Sequence, residues 1–232
     1  GPGLPLQAPS VKMTTELNVR CSLRQLIRRR QTLAGARGRE RLPPFAPLPG
    51  DQGFPMLEWG LNWCVSSHCH QYLIAHAAVL ERDGRALILP APSGSGKSTL
   101  CAGLVYAGGW RLLSDELMLL DPASGCVIAL PRPLSLKNDS IEALAAWAPA
   151  EAFGEVVRET SKGRVAHLKP PADCVANAHS PALPAWVVLP RYVPASAAKL
   201  QPLSRARTFM ALVDNSFNYV VHGRRGFHAL AD

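Results

Sequence analysis

The nine residues from Ala91 to Thr99, A-P-S-G-S-G-K-S-T, constrain this chain more than any other stretch. They follow an apolar run, R-A-L-I-L-P at 85–90, and open an apolar-periodic segment, which is the setting of a strand, a loop and a helix. Glycines at 94 and 96 let backbone N–H groups approach an anion with no Cβ in the way, and the following helix aims its positive end at the same place. In the pattern G-x-x-x-x-G-K-[ST], Lys97 reaches the β- and γ-phosphates and the Ser98 hydroxyl helps to hold Mg²⁺. Ser93, Gly94, Ser95, Gly96, Lys97, Ser98 and Thr99 are therefore the candidate nucleotide-binding residues, with ATP and Mg²⁺ as the implied ligands. Ala91 stands where the pattern has its first glycine, and its side chain is small enough to permit the turn.

A phosphate loop alone does not name a reaction, because motors, transporters, kinases and switches share it. Spacing narrows the choice. Asp115 follows Lys97 by 18 residues, enough for one helix, a turn and one adjacent strand, so Asp115-Glu116 should lie at the strand end beside the loop. In phosphoryl transfer the protein positions the phosphates and screens their charge, while one carboxylate orients or deprotonates the accepting hydroxyl. Asp115 is the candidate for that carboxylate, and Ser98, Asp115 and Glu116 are the candidate metal ligands. His76 precedes Lys97 by 21 residues, and Asp83-Gly84 between two apolar runs predicts a hairpin that brings the His76 strand alongside the loop. His76 is thus the second candidate catalytic residue.

The rest of the chain reads as one catalytic domain with an appendage. Gly1-Pro2-Gly3 resembles a protease scar and Met13 a native start, which sets residues 1–12 aside. Residues 13–55 are a basic segment followed by a Pro/Gly-rich linker: Leu17, Leu23, Leu26 and Ile27 predict a short helix, and arginines between 20 and 41 carry part of the net charge of +8. No aromatic residue stands among those arginines to stack on bases, so a solvated or protein-docking face is expected rather than a nucleic-acid arm. The domain proper is expected over 56–232, beginning with strands from Leu61 to Leu89. Further strands are predicted at 110–113, 117–120, 126–130 and 185–189, and helices at 99–106, 140–147 and 203–213. Thr160 to Lys169 reads as a basic patch, and the chain stops inside what resembles a continuing helix.

Six cysteines without a C-x-x-C pair read as reduced thiols. Ser67-His68-Cys69-His70 invites a zinc reading, but strand alternation would point Cys69 away from its two histidines. With no uninterrupted run of 18 apolar residues and no signal peptide before Met13, the expected location is the cytoplasm, away from membranes.

Loop, acidic pair and upstream histidine together resemble the catalytic domain of HPr kinase/phosphorylase, bacterial enzymes that phosphorylate a serine hydroxyl of a carrier protein. Ser93 to Ser98 match its S-G-x-G-K-S loop, and Asp115-Glu116 stand where the family usually has two aspartates. The similarity is greatest to the HPr kinase-related group called kinase A, through L-P-R-P-L-S-L-K-N (130–138), T-S-K-G-R-V-A-H-L-K-P-P (160–171) and D-N-S-F-N-Y (214–219). It implies an α/β P-loop kinase of the HPr kinase/phosphoenolpyruvate carboxykinase type, with a central mixed sheet flanked by helices and the basic N-terminal appendage outside it. It also implies Asp115 as general base, a hydroxyl-bearing peptide, protein or small molecule as acceptor, and a homo-oligomer. Arg132 and Lys137 become candidates for binding the transferred phosphate. The family's glutamate, two residues before an arginine, is Leu130 here. Leu130 favours a competing reading, a nucleotide-binding regulator or docking protein with little transfer activity. A transporter subunit would need an L-S-G-G-Q-like signature that is absent, and an adenylylsulfate or nucleoside kinase is a further alternative.

Overall fold

The computed structural model describes residues 49–231; the expected scar, the basic helix and its arginines lie outside them. Two long apolar runs form the centre. Strands β1 (Leu73–Arg82) and β2 (Arg85–Pro90) pair antiparallel across Asp83 and Gly84, both at positive φ (53° and 76°), the backbone that a tight hairpin turn requires. Alternation then sorts their side chains. Ala78, Leu80, Leu87 and Leu89 enter one core, while Ala77, Val79, Ala86 and Ile88 enter the other. Because both faces are buried, the runs are nearly continuous in apolar residues.

Around this hairpin a six-stranded sheet runs β5 (Val127–Ile128), β4 (Leu117–Leu120), β1, β2, β9 (Leu183–Val187), with β3 (Arg111–Ser114) also paired to β1. Only the β2–β9 pairing is parallel, so the sheet is mixed. The phosphate-loop helix, α2 (Lys97–Tyr106), packs on one face with α3 (Asp139–Leu144). After the short helix α4 (Ala172–Ala176), α5 (Arg205–Asp214) and α6 (Tyr219–Ala231) lie on the other face. The fold is thus α/β, a mixed sheet flanked by helices. No helix among the described residues is long and apolar enough to cross a membrane.

Three expectations need correction. Residues 61–68, expected as strand, belong to helix α1 (Gly53–His68), with Pro55 in its first turn, where a missing N–H is tolerated. Its inward face is Pro55, Glu58, Asn62 and Val65, a helical spacing hidden because two of the four are polar. His68 therefore ends a helix, and no group of three metal-ligating side chains occurs among the described residues. Second, β6 (Leu134–Lys137), β7 (Val157–Thr160) and β8 (Gly163–Leu168) form a separate antiparallel sheet that the sequence reading lacked. Third, the basic patch at 160–169 is dispersed by β8: Arg164 pairs with Glu142 at 2.5 Å, Lys162 lies over the Trp59 ring, and His167 is buried. Smaller shifts move the C-terminal helices: α5 begins after Ser204, whose side chain accepts from Arg207 N–H, and α6 kinks at Gly223.

Candidate functional site

The phosphate loop leaves β2 at Pro90 and enters α2 through Gly96, with Gly94 and Gly96 at φ of 86° and 87°. Both need the left-handed backbone that glycine adopts freely. Gly96 also lacks room, since a Cβ would meet Tyr192 Cβ at 3.0 Å. Tyr192 N–H donates to Ser95 C=O at 3.0 Å, so the segment after β9 braces the loop from outside. Ser93 and Gly94 are exposed, Ser98 and Thr99 are half-buried, and Ala91 packs in the core.

Sheet register explains how the remaining residues converge. One edge of β1 is covered by β4 up to His76, which faces Leu117, and by β3 from Val79, which faces Ser114. Asp115 and Glu116 fill the break between these strands. The opposite edge of β1 meets Pro90 at Ala77, so His76 lies just beyond the end of β2, where the loop starts. The acidic pair is therefore not on a strand adjacent to β2, as expected; β1 stands between them, and His76 bridges the distance.

Lys97, only 5 % exposed, places Nζ 2.9 Å from His76 Nε2 and 4.0 Å from Glu116 Oε2. The same His76 Nε2 is 3.0 Å from Glu116 Oε2. One ring nitrogen cannot serve both: as a lone pair it accepts from Lys97, and as N–H it donates to Glu116. Burial acts to raise the Glu116 carboxyl, but the His76 hydrogen bond and the Lys97 charge outweigh it and hold the group at about 2. His76 thus contacts Glu116 and Lys97, whereas Asp115 has other partners.

Asp115 is 4 % exposed. Its Oδ2 accepts from Ser135 N–H at 3.1 Å and Oδ1 is buried with no hydrogen-bond partner, while the nearby Ser98 hydroxyl favours the ionised carboxylate. Burial and the neighbouring Glu116 charge push Asp115 upward against the pull of Lys97. The two adjacent carboxyls are driven apart, one ionised and one raised, which is the electrostatic pattern of an acid–base site.

Arg132 lines the same recess as Asp115, Glu116 and Leu130, but is bound to α1: Nη2 donates to Asn62 Oδ1, and Nη1 lies 3.5 Å from Glu58 Oε2. Burial raises the Glu58 carboxyl, opposed by Arg132 and reinforced by Glu116. Glu58 and Asn62 were missed by sequence reasoning, since nothing marks a carboxylate in a stretch expected to be strand. Ser135 and His167 were missed too. Lys137, half-buried at the end of β6, adds its positive charge to those that lower the Glu116 carboxyl. No protein-family model, curated protein or solved structure matches this chain.

Proposed function

We propose that the chain is an ATP-dependent phosphotransferase of the HPr kinase-like kind, acting on a serine-like hydroxyl of a peptide, protein or small molecule. The observation that carries this reading is the free oxygen of Asp115, a buried carboxylate fixed through its other oxygen and one residue from the group that meets the phosphate-loop lysine. In the transfer, the acceptor oxygen bonds to the γ-phosphorus as the bond to the β,γ-bridging oxygen breaks. ADP leaves with that electron pair, and the hydroxyl proton passes to Asp115 Oδ1. Lys97 turns from His76 towards the β- and γ-phosphates, which the N–H groups of the glycine loop cradle. Relieved of Lys97, His76 Nε2–H donates to Glu116 and holds that carboxylate in place. The proximity of the Ser98 hydroxyl to Asp115 fits a magnesium site completed by Glu116, and a bound Mg²⁺ there supplies charge screening to the phosphates.

The test is single-turnover transfer from γ-labelled ATP, with an independent nucleotide titration. Asp115→Asn should keep ATP binding and lose on the order of 10²-fold or more in transfer. Lys97→Ala should weaken ATP binding while leaving the protein folded. The regulator reading is favoured by Leu130, which lines the recess where the kinases this chain resembles carry a glutamate. A folded wild-type protein that binds ATP but transfers to neither extract components nor water would establish that second reading instead.

A further inference from the structure

The acidic pair and His76 occupy one flank of the phosphate loop. His76 of β1 and Glu116 at the β3–β4 corner meet Lys97 on the side of β2 that pairs with β1. The other flank belongs to β9. Strands β2 and β9 run parallel, with Ile88 opposite Val187 and Val188 N–H donating to Ile88 C=O at 2.9 Å. Their carboxyl ends therefore emerge side by side, one as the phosphate loop and the other as the segment P-R-Y-V-P at 190–194. The crevice outside such strand ends is where α/β sheets take their ligands. Tyr192 fixes this segment to the loop through its main chain and Cβ alone: N–H donates to Ser95 C=O at 3.0 Å, and Cβ is what an added Cβ on Gly96 would strike. Pro190 and Pro194 bracket it and restrict the backbone on either side. The residue is nevertheless 71 % exposed, so an anchored backbone holds an aromatic ring out in water beside the loop. Leu100, one turn along α2 from Gly96 and donating its N–H to Gly96 C=O at 2.9 Å, is exposed as well.

We propose that Tyr192 is the platform on which the purine base of the bound nucleotide stacks. The inference rests on the nucleotide-binding part of the reading above and assigns the base end of the ligand, for which that reading names no residue. Direction follows from the two flanks. The γ-phosphate has to face Asp115 and Glu116 on the β1 side, so a nucleotide held at its β- and γ-phosphates by Lys97 and the loop amides sends its ribose and base over the β9 side. There the base meets the Tyr192 ring. Stacking uses the π-face of the base and asks for no hydrogen-bond partner, which suits a flank that offers exposed Tyr192 and Leu100 side chains. It also removes from water an aromatic face that the fold itself leaves uncovered.

The experiment titrates ATP and inorganic tripolyphosphate, which carries the phosphates without ribose or base, against the full chain with Mg²⁺ present. Tyr192→Ala keeps the main-chain N–H and the Cβ of the brace. It should raise the dissociation constant for ATP about tenfold and that for tripolyphosphate by less than about twofold. Tyr192→Phe, which keeps the ring, should bind both ligands as the wild type does, and thermal unfolding checks that both variants fold. The triphosphate of 2-aminopurine riboside, whose fluorescence is quenched by stacking, should be quenched by the wild-type protein and by Tyr192→Phe but not by Tyr192→Ala. ATP affinity unchanged in Tyr192→Ala would overturn the platform and leave the phosphotransferase reading standing. Equal losses for ATP and tripolyphosphate would overturn it too, because Tyr192 would then act by shaping the loop. A wild-type protein that binds neither ligand would remove both readings together. One that shows the ATP-selective loss in Tyr192→Ala yet transfers no phosphate would keep the platform and remove the phosphotransferase reading alone.

Discussion

Glu116 is the residue on which the charges of the site balance. It is the anion within 4.0 Å of Lys97 Nζ and 3.0 Å from His76 Nε2, and its carboxyl is held near 2 against a usual glutamate value of 4.5. An acid whose folded pKa is depressed contributes stability above its unfolded pKa, and that contribution is lost as pH falls through the folded value. For Glu116 the window runs from about 4.5 down to about 2. Asp115 acts in the opposite sense, because its raised pKa opposes folding above its usual range and relaxes on protonation. Glu116→Gln should therefore cost about 1–3 kcal/mol at pH 7 and flatten the loss of stability in acid, measured by urea denaturation at pH 7 and pH 3. If Glu116 also ligates Mg²⁺, the same variant should require more Mg²⁺ for half-maximal transfer. An unmoved Mg²⁺ titration would take Glu116 out of the metal site and leave its stabilising role.

At the scale of elements, the loop glycines separate backbone strain from crowding. Gly94 and Gly96 share a left-handed φ, but a Cβ at Gly94 meets open space whereas one at Gly96 meets Tyr192. Gly94→Ala should cost about 1–2 kcal/mol from backbone strain, and Gly96→Ala more, with ATP affinity falling further because the brace on Ser95 must shift. Comparing melting and ATP titration of the two variants measures that difference. Local patterns made these elements readable: the Asp83-Gly84 hairpin, the loop, α2 and the β3–β4 corner each announce themselves within a few residues. Helix α1 did not, since its buried face carries Glu58 and Asn62, whose partner Arg132 is about 70 residues away. The second sheet was hidden for a different reason: β6 and β7 are only four residues each, and β6 pairs with β8 across about 30 residues of chain, so no local pattern joins them.

At the scale of the whole molecule, the segment D-N-S-F-N-Y ties the last helices to the strand that carries His76. Where β2 stops covering β1, residues 215–218 take over: His76 N–H donates to Asn215 C=O at 2.7 Å, and Phe217 N–H to Ile74 C=O at 2.9 Å. Asn218, 3 % exposed, completes the edge, accepting from Ile74 N–H at 2.8 Å and donating to Tyr72 C=O at 2.8 Å. Its amide thus does what a paired strand would do for the buried Ile74 N–H and for Tyr72 C=O, which His222 Nε2 also contacts at 2.9 Å. Asn218→Ala would leave the buried Ile74 N–H unpaired and strip a bond from Tyr72 C=O, at a combined cost of about 2–4 kcal/mol. The position of His76, however, is set independently by β4, through Leu117, and by Asn215. Asn218→Ala should accordingly lower the urea midpoint substantially while ATP affinity and single-turnover transfer, measured well below the melting temperature, stay within about twofold of wild type. A parallel loss of transfer in protein shown to be folded would mean that the C-terminal segment sets the geometry of the strand that carries His76 as well as its stability.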